Sequence, residues 1–236
     1  MKGPAFGVIA LRGGTMKASP NQRFGALLSE SPVYAVTDDA LPIEHLDAVL
    51  AAILDAGVRI VQYRDKVRSD RERVAIARRL GDQVRAAGGL LIVDDRVDLA
   101  IAGQADGAHL GQDDLPLDVG RQLMGQNMLL GASASHLEEI EPDRLQNVDY
   151  LGFGALFATE TKTDAEYAGL DLFREACARA NLPVVGIGGI TAERVPEVMA
   201  CGAAGVAVVS ALFRAPDPGE AARRLLRAAR GAANAP

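Results

Sequence analysis

Residues 148–164 read VDYLGFGALFATETKTD. The run opens with Val148–Leu151, apolar like the start of a strand. It passes through Gly152 and Gly154 to three hydroxyls, Thr159, Thr161 and Thr163, around one lysine, Lys162. Glycine lets backbone N–H groups approach an anion, a hydroxyl donates to its oxygens, and lysine adds positive charge. The stretch therefore reads as a loop at the end of a strand that holds a phosphate or pyrophosphate. A plain polar surface connection has the same composition. Its place in the chain decides the fold. An open doubly wound sheet puts its phosphate glycines after the first strand. Here Val36–Asp39 (VTDD) follows the first strand. The glycines come late, after the sixth and seventh, where barrels place phosphate sites.

Short β-branched runs alternate with longer segments of helical period on both sides of this stretch. The expected strands are Val33–Thr37, Ile60–Arg64, Leu90–Val93, Gly107–Leu110, Met128–Ser133, Val148–Gly154, Pro183–Ile187 and Gly205–Ser210. The expected helices are Ile43–Ala56, Asp70–Ala87, Val97–Ala102, Leu117–Met124, Leu137–Leu145, Leu170–Ala180, Ala192–Ala200 and Pro218–Ala229. Gly57, Gly88-Gly89 and Gly202 stand where helix C-caps belong, and Thr191 where an N-cap belongs. Strand–helix alternation repeated eight times predicts an α/β fold, a (β/α)8 TIM barrel. No Pro/Gly/Ser-rich linker interrupts residues 31–230, so a single barrel domain is expected there. Residues 1–30 read as a loose or disordered N-terminal extension.

The 236 residues carry a net charge of −6, from 25 basic and 31 acidic side chains, and no tryptophan. That excludes broad nucleic-acid binding, which draws its affinity from basic surface. It leaves room for a local basic pocket. Cys177 and Cys201 are far apart and lack metal-ligand spacing, so they read as buried thiols in a reducing cytoplasm. No apolar run is long enough to span a membrane.

At the mouth of such a barrel the strand ends share one site. The second strand ends Gln62-Tyr63-Arg64-Asp65-Lys66. Alternation puts Gln62 and Arg64 on one face, with Lys66 following if the chain stays extended. Two cations and an amide suit a polyanion; a surface cluster paired with Asp65 is the plainer reading. The third strand ends Asp94-Asp95, and the fourth leads to Asp113-Asp114. Carboxylates beside cations can hold Mg²⁺ on a pyrophosphate. They also serve as helix caps or turn formers. Ser133 ends the fifth strand as a candidate donor, and no Ser–His–Asp pattern accompanies it. His109 reads as structural. Gly188-Gly189 after the seventh strand and Val209-Ser210 after the eighth can present backbone N–H groups to a second phosphate.

Taken together, VQYRDK (61–66), DDRVDLA (94–100), DGAHLGQDD (106–114), GAS (131–133), GFGALFATETK (152–162), VVGIGGI (184–190) and VVSAL (208–212) resemble the thiamine-phosphate synthase family in order and spacing. The resemblance runs from about Val33 to about Arg223. It implies a Mg²⁺-dependent cytoplasmic transferase of thiamine biosynthesis. Such an enzyme joins a hydroxymethylpyrimidine pyrophosphate to a hydroxyethylthiazole phosphate, releasing pyrophosphate. By that resemblance Gln62 binds the aminopyrimidine. Arg64, Lys66 and Lys162 grip the pyrophosphate, and Ser133 contacts the pyrophosphate or pyrimidine side. Asp95 and Asp114 hold Mg²⁺. Thr159, Thr161, Gly188, Val209 and Ser210 cradle the thiazole phosphate. Arg64, Lys66, Ser133 and Lys162 form the catalytic set. Small phosphorylated molecules are the expected partners, not nucleic acid or membrane, and a homo-oligomer is compatible with the reading.

Four positions depart from the family pattern. Asp94 stands where the family usually has Asn, in the substrate-binding set. Ala155 and Ala158 replace prolines, and Ser135 replaces a histidine. Two other readings remain at this point. One is a thiazole-phosphate tautomerase on the same barrel, which needs no pyrophosphate grip. The other is a non-catalytic barrel that binds thiamine phosphate.

Overall fold

The structure, a computed structural model, describes residues 19–158 and 167–233. Eight short parallel strands close in chain order into a barrel. They are β1 (Val33–Val36), β2 (Ile60–Tyr63), β3 (Leu90–Asp94), β4 (Gly107–Leu110), β5 (Leu129–Ala134), β6 (Tyr150–Phe153), β7 (Val184–Ile187) and β8 (Gly205–Val208). β8 pairs back onto β1, so no edge is left open. Around it lie α2 (Ile43–Asp55), α3 (Asp70–Ala86), α4 (Val97–Ala102), α5 (Leu117–Met124), α6 (Pro142–Leu145), α7 (Gly169–Arg179), α8 (Val195–Met199), α9 (Ser210–Phe213) and α10 (Pro218–Ala233). α1 (Pro20–Glu30) precedes the first strand. No described helix is long and apolar enough to cross a membrane.

The period-two alternation of the strands builds two cores. Val33, Ala35, Val61, Leu91 and Val93 face outward onto helix residues such as Leu50, Ile53 and Leu80. Tyr34, Val36, Ile60, Leu90, Ile92, Leu129, Tyr150, Val185 and Ala207 fill the barrel interior. Continued one step toward the C-terminal ends, the inward parity changes from apolar to polar. Gln62, Asp94, His109 and Ser133 stand there, and all four line the cavity at the mouth.

The strand and helix expectations hold to within a few residues at each end, with three informative exceptions. Residues 20–30, read as part of a loose extension, form α1. Ser19 accepts from Gln22 N–H while Gln22 Oε1 accepts from Ser19 N–H, a capping box with Pro20 at the first helical position. Phe24 and Leu28 join the inner core, and the Phe24 ring stacks on Tyr150 with centroids 4.4 Å apart. Arg23 donates to the Gly89 carbonyl, just before β3, at 2.8 Å. The helix thus covers the N-terminal end of the barrel. Second, the expected helix Leu137–Leu145 is a 3₁₀ turn (Leu137–Glu139) followed by α6, because Pro142 has no N–H to continue a helix. Third, Thr191 is no side-chain cap. Its carbonyl accepts from Arg194 and Val195 N–H, making a turn, and α8 begins only at Val195.

The glycine caps lie where expected: Gly57, Gly88 and Gly202 have φ of 109°, 77° and 94°. Cys177 and Cys201 are free thiols with pKa raised by burial, as inert packing residues should have.

Candidate active site

A cavity of about 740 Å³ opens at the C-terminal ends of the strands. Its cationic wall comes from β2. Thr37 Oγ1 accepts from Arg64 N–H and donates to the Arg64 carbonyl, both at 2.9 Å, which pins the end of β2 against β1. Arg64 then reaches across the mouth: Nη1 lies 2.9 Å from Asp39, and Nε 3.7 Å from Asp94. Lys66 Nζ lies 3.1 Å from Asp95. Asp65 turns the other way, so the surface-cluster alternative does not hold. It is buried, accepting from Tyr63 OH, Arg68 Nη1 and the backbone N–H groups of Val67 and Arg68. Burial pushes its pKa up, but those donors outweigh it and hold the group at about 2.

The acidic wall comes from β3 and the turn after β4. Asp94 points inward and accepts from Gln62 Nε2 at 2.6 Å. Asp95 adopts a left-handed backbone (φ 62°), sparsely populated for a non-glycine residue, with its N–H donating to the His109 carbonyl. Asp114 accepts from Gly111 N–H at 2.6 Å, so a turn role and a place in the cavity coexist. The helix-cap alternative for Asp94 and Asp95 fails, since α4 starts from Arg96 with no side-chain cap.

Burial, then the neighbouring Asp95 carboxylate, raises the Asp94 pKa to about 7. Burial and Asp95 also raise Asp114, while the Lys66 ammonium overrides burial to hold Asp95 low. The three carboxylates thus concentrate more negative charge than Lys66 and Arg64 relieve, which is the chemistry of a divalent-cation site. Among the described residues no cluster of three or more His, Cys, Asp or Glu has the geometry of a metal centre by itself. Two protein carboxylates completed by substrate oxygens are the arrangement that Mg²⁺ favours.

A carboxyl whose folded pKa lies above its unfolded value supports stability below the unfolded value and loses it as pH rises through the folded one. For Asp94 that window runs from the ordinary carboxylate range to about 7. In metal-free protein, Asp94→Asn is therefore expected to raise Tm at pH 8, with the gain fading below about pH 4. Thermal melts across that range check it, and a Tm lowered at pH 8 would show that the ionised carboxylate is net stabilising.

Ser133 is half-buried at the end of β5, its Oγ 2.9 Å from His109 Nε2. His109 Nδ1 in turn lies 3.1 Å from Tyr150 OH, which lies 2.8 Å from Tyr34 OH. Burial lowers the His109 pKa to about 4. The sequence reading gave His109 a structural role and missed this chain. The shared inward parity of positions 109, 133 and 150 was the available signal. The glycines of the opening stretch, Gly152 and Gly154, line the cavity and are packing positions as well. A Cβ at Gly152 would lie 3.1 Å from His109 Cε1, and one at Gly154 would overlap the Ile187 carbonyl. Both positions make room for neighbours within the barrel.

The opposite wall is formed by Gly188, Gly189, Val209 and Ser210, lining the same cavity as Arg64 and Lys66. Gly188 and Gly189 have φ of 98° and 66° and lie against Ala155, Phe157 and Ala158 too closely for any Cβ. Two cavity-lining arginines were not singled out in the sequence. Arg194 donates to the Gly189 carbonyl at 2.6 Å and lies 4.5 Å over the Phe157 ring; Arg214 pairs with Asp38. Both follow the strand ends by several residues, beyond the reach of strand alternation. Thr159, Thr161 and Lys162 lie outside the described residues. The segment that carries them begins after Ala158, which lines the cavity.

A closed parallel barrel whose strand C-terminal ends carry cationic, acidic and glycine-rich walls around one cavity defines a (β/α)8 barrel protein. The chain belongs to the thiamine monophosphate synthase family, whose model matches residues 33–212. It is 47% identical over 185 residues to a thiamine-phosphate synthase of Synechococcus sp. (strain CC9311), covering 78% of this chain and 52% of that protein. It is 46% identical over 195 residues to the thiamine-phosphate synthase of Chloroflexus aurantiacus, covering 82% and 90%. It is 43% identical over 220 residues to a thiamine biosynthesis bifunctional protein of Symbiobacterium thermophilum, covering 92% and 44%. The chain thus spans about half the length of several relatives and nearly all of others. Among solved structures, thiamine phosphate pyrophosphorylase from Pyrococcus furiosus superposes with a TM-score of 0.80 at 34% identity, covering 87% of this chain and 98% of that one.

Proposed function

We propose that the chain is a Mg²⁺-dependent thiamine-phosphate synthase. It condenses 4-amino-2-methyl-5-hydroxymethylpyrimidine pyrophosphate with 4-methyl-5-(2-hydroxyethyl)thiazole phosphate. The observation that carries this reading is the meeting of Arg64, Lys66, Asp95, Asp114 and Ser133 around one cavity that Gly188 and Ser210 close on its far side. Relatives named as thiamine-phosphate synthases, one of them matched over 90% of its length, support it.

In this reading the bond from the pyrimidine methylene carbon to the pyrophosphate oxygen breaks, and the thiazole nitrogen donates its lone pair to that carbon. Pyrophosphate leaves with the bonding electrons, and no proton or protein nucleophile is required. Arg64, Lys66 and Lys162 bind the leaving group, where negative charge grows. Ser133 donates to it, and Gln62 orients the aminopyrimidine. Bound Mg²⁺, held by Asp95 and Asp114, supplies charge neutralisation on the pyrophosphate oxygens. Thr159, Thr161 and the N–H groups about Gly188, Val209 and Ser210 hold the thiazole phosphate, so that its nitrogen faces the methylene carbon.

Chelation tests the reading. Stripping the protein with EDTA is expected to abolish turnover, and Mg²⁺ should restore it while leaving thermal unfolding of the unliganded chain little changed. Full turnover without divalent cation would contradict the Mg²⁺ requirement of the reading.

A further inference from the structure

We infer that the buried chain Tyr34–Tyr150–His109 makes the Ser133 hydroxyl an obligate hydrogen-bond donor into the cavity. The chain runs up the barrel axis. Tyr34 OH lies 2.8 Å from Tyr150 OH, Tyr150 OH 3.1 Å from His109 Nδ1, and His109 Nε2 2.9 Å from Ser133 Oγ. Tyr34 and Tyr150 are 2% and 0% exposed, and the Phe24 ring covers Tyr150 from below. The space for the chain is built in. A Cβ at Gly131 would overlap Tyr150 Cζ and OH and crowd His109 Nδ1, so the GAS motif needs its glycine here.

The direction follows from counting protons. Each hydroxyl carries one, and an imidazole buried this deep is neutral and carries one. Run outward, Tyr34 donates to Tyr150, Tyr150 to His109 Nδ1, and His109 Nε2–H to Ser133 Oγ. Every buried donor is then satisfied, and the Ser133 proton is left facing the mouth. Run inward, Ser133 donates to Nε2, Nδ1–H to Tyr150 and Tyr150 to Tyr34. The Tyr34 proton is then stranded, because Tyr34 OH has no partner besides Tyr150 among the described residues. It would sit in the apolar inner core that Tyr34 shares with Phe24, Leu28, Ile60 and Leu90. A buried donor left unpaired costs more than an ordinary hydrogen bond gains, so the outward order prevails.

Two consequences follow. His109 already carries its proton on Nε2, so it cannot accept one from Ser133, and the serine is neither a nucleophile nor a base. Ser133 can instead offer one hydrogen bond to an anionic oxygen. That this oxygen belongs to the leaving pyrophosphate rests on the function proposed above; the direction of the chain does not. Tyr34, Tyr150 and His109 are thus positioning residues.

NMR of ¹⁵N-histidine-labelled protein, free of ligand at neutral pH, reads the direction without any turnover. There are three histidines, and His109→Gln identifies the His109 signals by their loss. Protonated Nε2 and bare Nδ1 are expected. Tyr34→Phe should keep that tautomer, since the outward order survives it, and so should Tyr150→Phe, in which the inward order would strand Nδ1–H. An Nδ1–H tautomer or a doubly protonated ring would overturn the proposal. In turnover, Tyr150→Phe is expected to lower kcat severalfold with Ser133 present and to change nothing further in Ser133→Ala. Additive losses would mean that Tyr150 acts only on packing. An inactive wild type with the expected tautomer would sink the synthase reading and leave this one standing.

Discussion

Arg64→Ala is expected to lower kcat/KM by about 100- to 1,000-fold, the loss seen when one preorganised charge-stabilising donor is removed. The effect should be large for two reasons. Arg64 would no longer neutralise charge growing on the leaving group. Its loss would also leave Asp39 and Asp94, which it now faces at 2.9 and 3.7 Å, as uncompensated acids at the mouth. The cavity would then repel the polyanion it has to bind, so KM should rise as kcat falls. Steady-state kinetics on the variant, with circular dichroism to verify the fold, provide the check. Arg64→Lys should recover only part of the activity, because an ammonium cannot reproduce the fork that spans both carboxylates. Unchanged kinetics in Arg64→Ala would mean that the pyrophosphate does not lie against β2.

Lys162→Ala should reduce turnover severalfold or more while leaving thermal stability close to that of the wild type. Lys162 is the one lysine of the threonine-rich stretch, whose chain departs from the cavity rim at Ala158. In the proposed chemistry it adds a third cation to Arg64 and Lys66. A side chain that acts on the departing charge changes kcat more than KM. Single-turnover measurement of pyrophosphate release separates the two. A variant that matches the wild type in that step would remove Lys162 from the leaving-group grip.

The barrel was legible because its strands obey a single rule. Inward positions are apolar up to the mouth and polar beyond it, and Gln62, Asp94 and Ser133 all fall on that inward parity. α1 was legible in principle. Ser19, Pro20 and Gln22 spell a capping box, but Gly13-Gly14, Pro20 and the polar residues between them read as loose chain. Contacts across the barrel were a different matter. His109 and Ser133 are 24 positions apart, and His109 and Tyr150 41 apart. Parity says that each points inward and not which of them touch. The packing role of the glycines was hidden for a related reason. Close approach to an anion and close approach to a neighbouring side chain demand the same missing Cβ, and only packing separates them. Asp94 stood out as a departure from the family pattern. Its buried bond to Gln62 and its raised pKa could come only from the surroundings that β2 and β3 create.

The central claim is that the two walls of the cavity hold two phosphorylated substrates that react with each other. The most direct measurement incubates the chain with both substrates and Mg²⁺ and follows pyrophosphate release alongside thiamine phosphate formation. The account predicts equal amounts of the two products, each strictly dependent on both substrates. Binding of thiamine phosphate with no pyrophosphate released at saturating Mg²⁺ would contradict it and leave a barrel that binds the product without making it.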